Sequence, residues 1–209
     1  MKQFEFEGKT YNLCNSWEDM TLQRYINFFL YQDSKKSDIL DELYLMEIIE
    51  ILSDCDVLME VPMETLKSLI GEINFLSTTP KLTKGDVIYI DAQLYKCVNL
   101  NELTAGEYIS IKMLMGDEKT VLQGLPKLLS IIVRPAEEFI DKETGKKRYK
   151  IEKFAVDNLD WRAEKFLSLR VVDVLHWTTF FLTGKKQSLQ TSQRSTNRKV
   201  IKKEIHGLL

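Results

Sequence analysis

Histidine is almost missing from this chain: His176 and His206 are the only two among 209 residues. A nucleophile usually depends on a base beside it, most often histidine. The scarcity therefore leaves little for acid–base or nucleophilic catalysis. His176 sits among Leu175, Trp177 and Phe180 on an apolar stretch and reads as structural, while His206 has no partner nearby in sequence. Cysteine is scarce too. Cys14, Cys55 and Cys97 are odd in number, far apart and without a CxxC pair. That pattern argues against a disulfide framework or a zinc site and for small buried apolar side chains. The phosphate-cradling G-x-x-x-x-G-K-[ST] is absent, and TGKK at Thr144 and Thr183 lacks the earlier glycine, so it reads as a turn. No apolar run nears the roughly 20 residues of a membrane span, and MKQFEFEGKTY has no apolar signal core. The acidic series Asp38, Asp41, Glu42, Glu47 and Glu50 spreads around a helix and reads as a solvated face rather than a cation site. Trp17, Trp161 and Trp177 read as core residues. These absences predict no catalytic residue, no cofactor, no metal and no membrane partner.

What remains has the composition of a globular protein, 44% hydrophobic and 29% charged, with length for one large domain or two small ones. The net charge of −2 conceals an asymmetry. From Gly184 onward seven basic residues face Glu204 alone, a net +6, which leaves −8 on the preceding chain.

The same phrase is written twice. Shifting the chain by 83 positions aligns Cys14 with Cys97, Thr21 with Thr104, Tyr25 with Tyr108 and Ile26 with Ile109. Asp19/Glu102, Met20/Leu103, Phe28/Ile111 and Leu30/Met113 follow as similar pairs. FEFEGKTYNLC and VIYIDAQLYKC each read as two short strands around a turn. The chain thus predicts a strand–turn–strand–helix unit repeated in two lobes about a pseudo-two-fold, although any hairpin feeding a helix would need these residue types.

Helical spacing predicts a Thr21-capped helix through Tyr31, a second helix capped by Ser37 or Asp38, and a third opened by Pro62. A second hairpin from Val87 to Val98 leads to Thr104-Ala-Gly-Glu107, a capping box. Pro126 predicts a kink or break in the next helix. A charged hairpin turning at Gly145 follows, with Phe139 and Ile140 expected to face Tyr149 and Ile151. One long helix is expected from Asp160 onward, with Gly184 as its C-cap. The fold class is therefore α+β, predominantly α-helical with short β-hairpins. The predicted organisation is 1–80 as hairpin plus helices, 81–183 as second hairpin, helices and charged hairpin, and 184–209 as a basic tail.

The succession WEDMTLQRYINFF, LPKLLSIIVRPAEEF, YKIEKF and WRAEKFLSLRVVDVLHWTTFFLTGKK resembles small morphogenesis proteins of tailed bacteriophages. These are tail-assembly and head–tail region products of phages of Bacteroides-like hosts, including the crAss-like group. The matching positions are Trp17 to Phe29, Arg134-Pro135, Tyr149 to Phe154 and Phe180-Phe181. The resemblance implies a non-enzymatic assembly protein, located in the virion and in host cytoplasm during assembly, with other phage structural proteins and copies of itself as partners.

The residues point the same way by a separate route. A cationic tail follows a phosphate backbone or docks on an acidic neighbour, so Arg194, Arg198, Lys199, Lys202 and Lys203 are candidate contacts to protein or nucleic acid. Phe139, Ile140, Tyr149 and Ile151 form a second candidate, because a paired edge strand can add to a neighbour's sheet. Two alternatives stand beside a virion component: a tail-assembly chaperone absent from mature particles, and a nucleic-acid-binding regulator that uses the tail.

Overall fold

The structure, a computed structural model, describes residues 1–34, 41–116 and 121–179. It is α+β and mostly helical, with two small antiparallel sheets. The first half runs β1 (Lys2–Phe6), β2 (Lys9–Leu13), α1 (Leu22–Ser34), α2 (Asp41–Ser53) and α3 (Met63–Glu72). The second runs β3 (Val87–Ile90), β4 (Gln93–Cys97), α4 (Ala105–Leu114), α5 (Val121–Ile132), β5 (Val133–Ile140), β6 (Lys147–Ile151) and α6 (Leu159–Leu167). A last helix, α7, covers 171–179. β1 and β2 form one sheet, and β3-β4-β5-β6 form the other in that order.

The repeated sequence folds twice into the same local geometry. Both hairpins turn through two residues of positive φ, Glu7 and Gly8 in the first and Asp91 and Ala92 in the second, the arrangement that matches strand twist in a two-residue turn. Beyond the strands, the Asp19 amide donates to Ser16 O at 3.2 Å, and the Glu102 amide donates to Asn99 O at 2.9 Å. Thr21 Oγ1 then accepts from the Arg24 amide, and Thr104 Oγ1 from the Glu107 amide, each at 3.3 Å. Each threonine thereby satisfies an amide that a helix start leaves free.

The offset is not constant along the chain: the hairpins match at 84, so that Cys14 corresponds to Val98 and not to Cys97 as the sequence alignment has it, the helices that follow them at 83, and the second helices at 80. The Cys14 amide donates to Leu52 O at 3.0 Å, and the Val98 amide donates to Ile132 O at 2.8 Å. Two residues further on lie Asp54 and Arg134. Arg24, at the third position of α1, pairs with Asp54, and Glu107, at the third position of α4, pairs with Arg134. The ion pair is kept with its charges exchanged.

The buried residues of both halves belong to one cluster, from Phe4 and Leu13 through Leu128, Leu129 and Ile132 to Phe166 and Trp177. Two backbone bonds hold the halves in register: Leu22 N–H donates to Leu169 O and Val171 N–H donates to Met20 O, each at 2.8 Å. They also account for a departure from the expected long final helix. The chain leaves helical geometry at 168–170, where the Leu169 and Val171 backbone groups are taken by the α1 entry. A second departure is at Pro126, inside α5, which runs from Val121 to Ile132 without a break. The side chains of Leu125, Leu128 and Leu129 are at most 2% exposed, and their burial opposes the roughly 3 kcal/mol a helix-interior proline costs. The predicted caps Ser37, Asp38 and Gly184 lie outside the described residues.

Ala92, with φ of +62°, stands where the first hairpin has Gly8 at +74°. A left-handed alanine is strained by its Cβ, so Ala92→Gly should stabilise the fold by about 1 kcal/mol net of glycine's entropy. A urea midpoint that rises at unchanged slope is the expected readout. An unchanged or lower midpoint would show that the second turn is not held in this conformation.

Candidate protein-contact surface

The β5–β6 hairpin grows directly out of α5. Only its first residues are held by β4, with Cys97 opposite Val133, Lys96 opposite Arg134 and Tyr95 opposite Pro135. From Ala136 onward β5 pairs with β6. The register corrects the expected pairing: Phe139 lies opposite Arg148 and Ile140 opposite Lys147, whereas Tyr149 faces Glu138 and Ile151 faces Ala136. Directly opposed residues share a face and neighbours alternate. Ile140, Tyr149 and Ile151 therefore occupy one face, and Phe139 the other. Phe139 and Ile140 are 49% and 56% exposed, while Tyr149 and Ile151 are half-buried. The Lys96 ammonium lies 4.4 Å from the Tyr149 ring centroid, a cation over an aromatic face.

The turn is rigid for identifiable reasons. Gly145 adopts φ of +64°, and its amide donates to Asp141 O at 2.8 Å. Asp141 Oδ1 accepts from the Glu143 and Thr144 amides at 2.9 and 3.2 Å. Those amides hold the Asp141 carboxyl below its usual range, with Arg148 adding to the effect. Lys147 pairs with Glu138 at 2.9 Å and Arg148 with Asp141 at 3.1 Å, so these exposed charges are satisfied across the strands and contribute little to stability.

The hairpin's base is anchored by buried charge. Glu107 and Arg134 are 2% and 7% exposed. Arg134 Nη2 lies 2.6 Å from Glu107 Oε1, while Glu107 Oε2 accepts from the Thr104 amide at 2.5 Å. One carboxylate thus closes the predicted capping box and fixes the start of the β5 strand. Burial pulls the Arg134 guanidinium below its ordinary value; Glu107 opposes that shift and Arg162 adds to it. Arg162, 1% exposed, binds Glu152 at 2.7 Å just past β6 and Ser130 O at 3.4 Å. The Nε atoms of both arginines are buried without a partner.

A third feature was not singled out from the sequence: the outer face of α4. Tyr108, Ile109 and Met113 are 53%, 57% and 78% exposed; Ile109 and Met113, four residues apart, share one side of the helix, and Tyr108 lies on its flank. Ile111, on the inner side, is buried. Apolar residues all around this short helix were the available signal, but such a pattern ordinarily indicates burial.

The remaining candidates are placed as follows. Arg194, Arg198, Lys199, Lys202 and Lys203 lie outside the described residues. His176 Nε2 and Trp177 Nε1 both meet the Gly85 carbonyl, so the Nε2 proton is committed to tying α7 to the irregular segment that precedes β3. Trp17 and Trp177 are buried, but Trp161 is 43% exposed, contrary to expectation, with the Arg162 and Lys165 cations near its ring. Burial pushes the Cys14 and Cys97 thiols up to about 11, which makes them neutral and unreactive at pH 7. Among the described residues no group of His, Cys, Asp or Glu is arranged to hold a metal ion, and no helix is long and apolar enough to cross a membrane. The chain matches no protein-family profile, and comparison with curated proteins and with solved structures finds no significant similarity.

Arg134→Met leaves Glu107 buried and unpaired and should cost roughly 3–5 kcal/mol in urea unfolding. Adding Glu107→Leu should recover all but the roughly 1 kcal/mol of the lost cap. Equal destabilisation by the single and double variants would show that the two groups do not act as a pair.

Proposed function

We propose that this chain is a non-enzymatic structural or assembly protein of a tailed bacteriophage, acting in the head–tail or tail region through protein–protein contacts. The observation that carries this reading is apolar surface held outward on rigid supports. Phe139 and Ile140 stand exposed near the end of a hairpin whose base is held by the buried Arg134–Glu107 pair and by buried Arg162 reaching the partly exposed Glu152. Large apolar side chains grouped on such supports mark interaction surfaces. The likeness of its sequence segments to phage morphogenesis proteins supplies the biological setting. The protein resides in the virion and in host cytoplasm during assembly, and its partners are other structural proteins and its own copies.

A second reading rests on the tail. Seven cations within the last 26 residues suit a nucleic-acid backbone, as in a DNA-binding regulator or a virion protein that touches the genome. Each neutralised phosphate steepens the salt dependence of binding. If the tail meets DNA, replacing Arg194, Arg198, Lys199, Lys202 and Lys203 with glutamine abolishes most of the affinity and flattens the salt slope. Unchanged binding assigns the DNA contact elsewhere.

The direct test is quantitative mass spectrometry of purified particles of the encoding phage. The proposal expects a fixed copy number relative to the major capsid protein. Abundance in infected cells with absence from finished particles overturns the virion reading in favour of a chaperone or regulator.

A further inference from the structure

The two repeats are treated unequally by the rest of the chain. In the first, Ile26 of α1 is 5% exposed and Leu30 is half-buried. Both line the groove where α1 meets Pro126 and Lys127 of α5 and Ala163 and Leu167 of α6. In the second, the residues 83 positions on are Ile109 and Met113 of α4, which lie bare. A two-fold between the repeats would place α4 on α2 as α1 is placed on α5. The chain instead makes this contact once and leaves one half of a second contact unused on α4.

The complementary half is also on the surface. With α2 and α5 matched at their offset of 80, Leu43 and Met46 correspond to Gln123 and Pro126, the α5 residues beside α1. Leu43 is 39% exposed and Met46 half-buried, and they share one helical face with Glu47 and Glu50. Charge is complementary as well: Lys112 borders the α4 stripe, whereas α2 offers Glu47 and Glu50. Burial, together with Glu47 and Asp56, raises the Glu50 carboxyl, a condition that an arriving cation relieves.

We infer that copies of this chain assemble head to tail, the Ile109–Met113 face of α4 in one copy packing on the Leu43–Met46 face of α2 in the next. The contact repeats between chains what α1 and α5 do within each chain. It is heterologous, so it builds a ring or a filament according to the rotation between copies. The inference rests on the reading of the chain as an assembly protein and names the self-contact that such a protein would use.

The full chain in analytical ultracentrifugation is expected to self-associate with rising concentration. Ile109→Glu with Met113→Glu should weaken that association at least about tenfold while circular dichroism and melting stay unchanged, because both side chains are already in water. Direction is read by oxidising a mixture of Met113→Cys and Leu43→Cys copies against a wild-type control. A mixed disulfide dimer supports the assignment; Met113→Cys dimers formed equally well with themselves overturn it. A wild-type chain that stays monomeric, or one whose association ignores the glutamates, also overturns it. Monomers in solution with a fixed copy number in particles would remove only this inference. α4-dependent association of a chain missing from particles would remove only the virion reading.

Discussion

The burial of α5 is the constraint on which the other elements depend. From Leu125 to Val133 every side chain except that of Lys127 is buried, so the helix must be enclosed on nearly all sides. α6, α4 and α1 pack against it. Ser130, polar and fully buried, is tolerated because its Oγ donates to Pro126 O at 2.9 Å, as a buried hydroxyl requires. Because α5 passes into β5 without a connecting loop, whatever fixes the helix also fixes the base of the charged hairpin. The position of the exposed Phe139 and Ile140 is thus a long-range consequence of core packing.

The exchanged ion pairs show how two copies of one unit diverge under different burial. In the first pair Arg24 is largely enclosed but the Asp54 side chain is 76% exposed; both partners of the second are almost completely enclosed, at 9% and 3%. A pair with one partner in water contributes less and tolerates loss of that partner, whereas a fully buried pair is costly to break from either side. The second unit therefore carries the sharper structural requirement. It meets that requirement with a glutamate that also closes a capping box, so one residue specifies both a helix start and a strand base.

Much of this was legible in the chain. The two hairpins, the Thr104 capping box and the Gly145 turn all rest on local rules, which need only residues a few positions apart. The misreadings share a different cause. Apolar spacing continues unbroken from Phe166 to Val172, yet the helix stops because α1's entry captures backbone groups at 169–171; nothing local announces that competition. Pro126 is a breaker by local rule, overridden by the burial around it. Hairpin register departs from the expected pairing because Phe139-Ile140 and Tyr149-x-Ile151 differ in spacing, and the turn decides which residues oppose. The bare α4 face was missed since a helix apolar all around normally signals enclosure, and only the tertiary arrangement shows which side is left open.

The hairpin's own edge bears on which kind of contact it offers. β6 is the outer strand of its sheet and carries Lys147, Arg148 and Lys150, and charged side chains along an edge discourage another strand from pairing there. The expectation of sheet addition through this hairpin is thereby weakened on physical grounds. Its apolar residues instead sit on the faces: Ile140 with half-buried Tyr149 and Ile151 on one side, Phe139 on the other. A partner that meets these faces buries ring and aliphatic surface while leaving the cross-strand ion pairs in water, where their desolvation is not required. The same logic distinguishes α4, whose bare stripe has only Lys112 at its border and whose counterpart in the first repeat is already enclosed by helices. Among the described residues, the apolar surface these two elements present lies on their faces, while the outer strand of the hairpin carries charge.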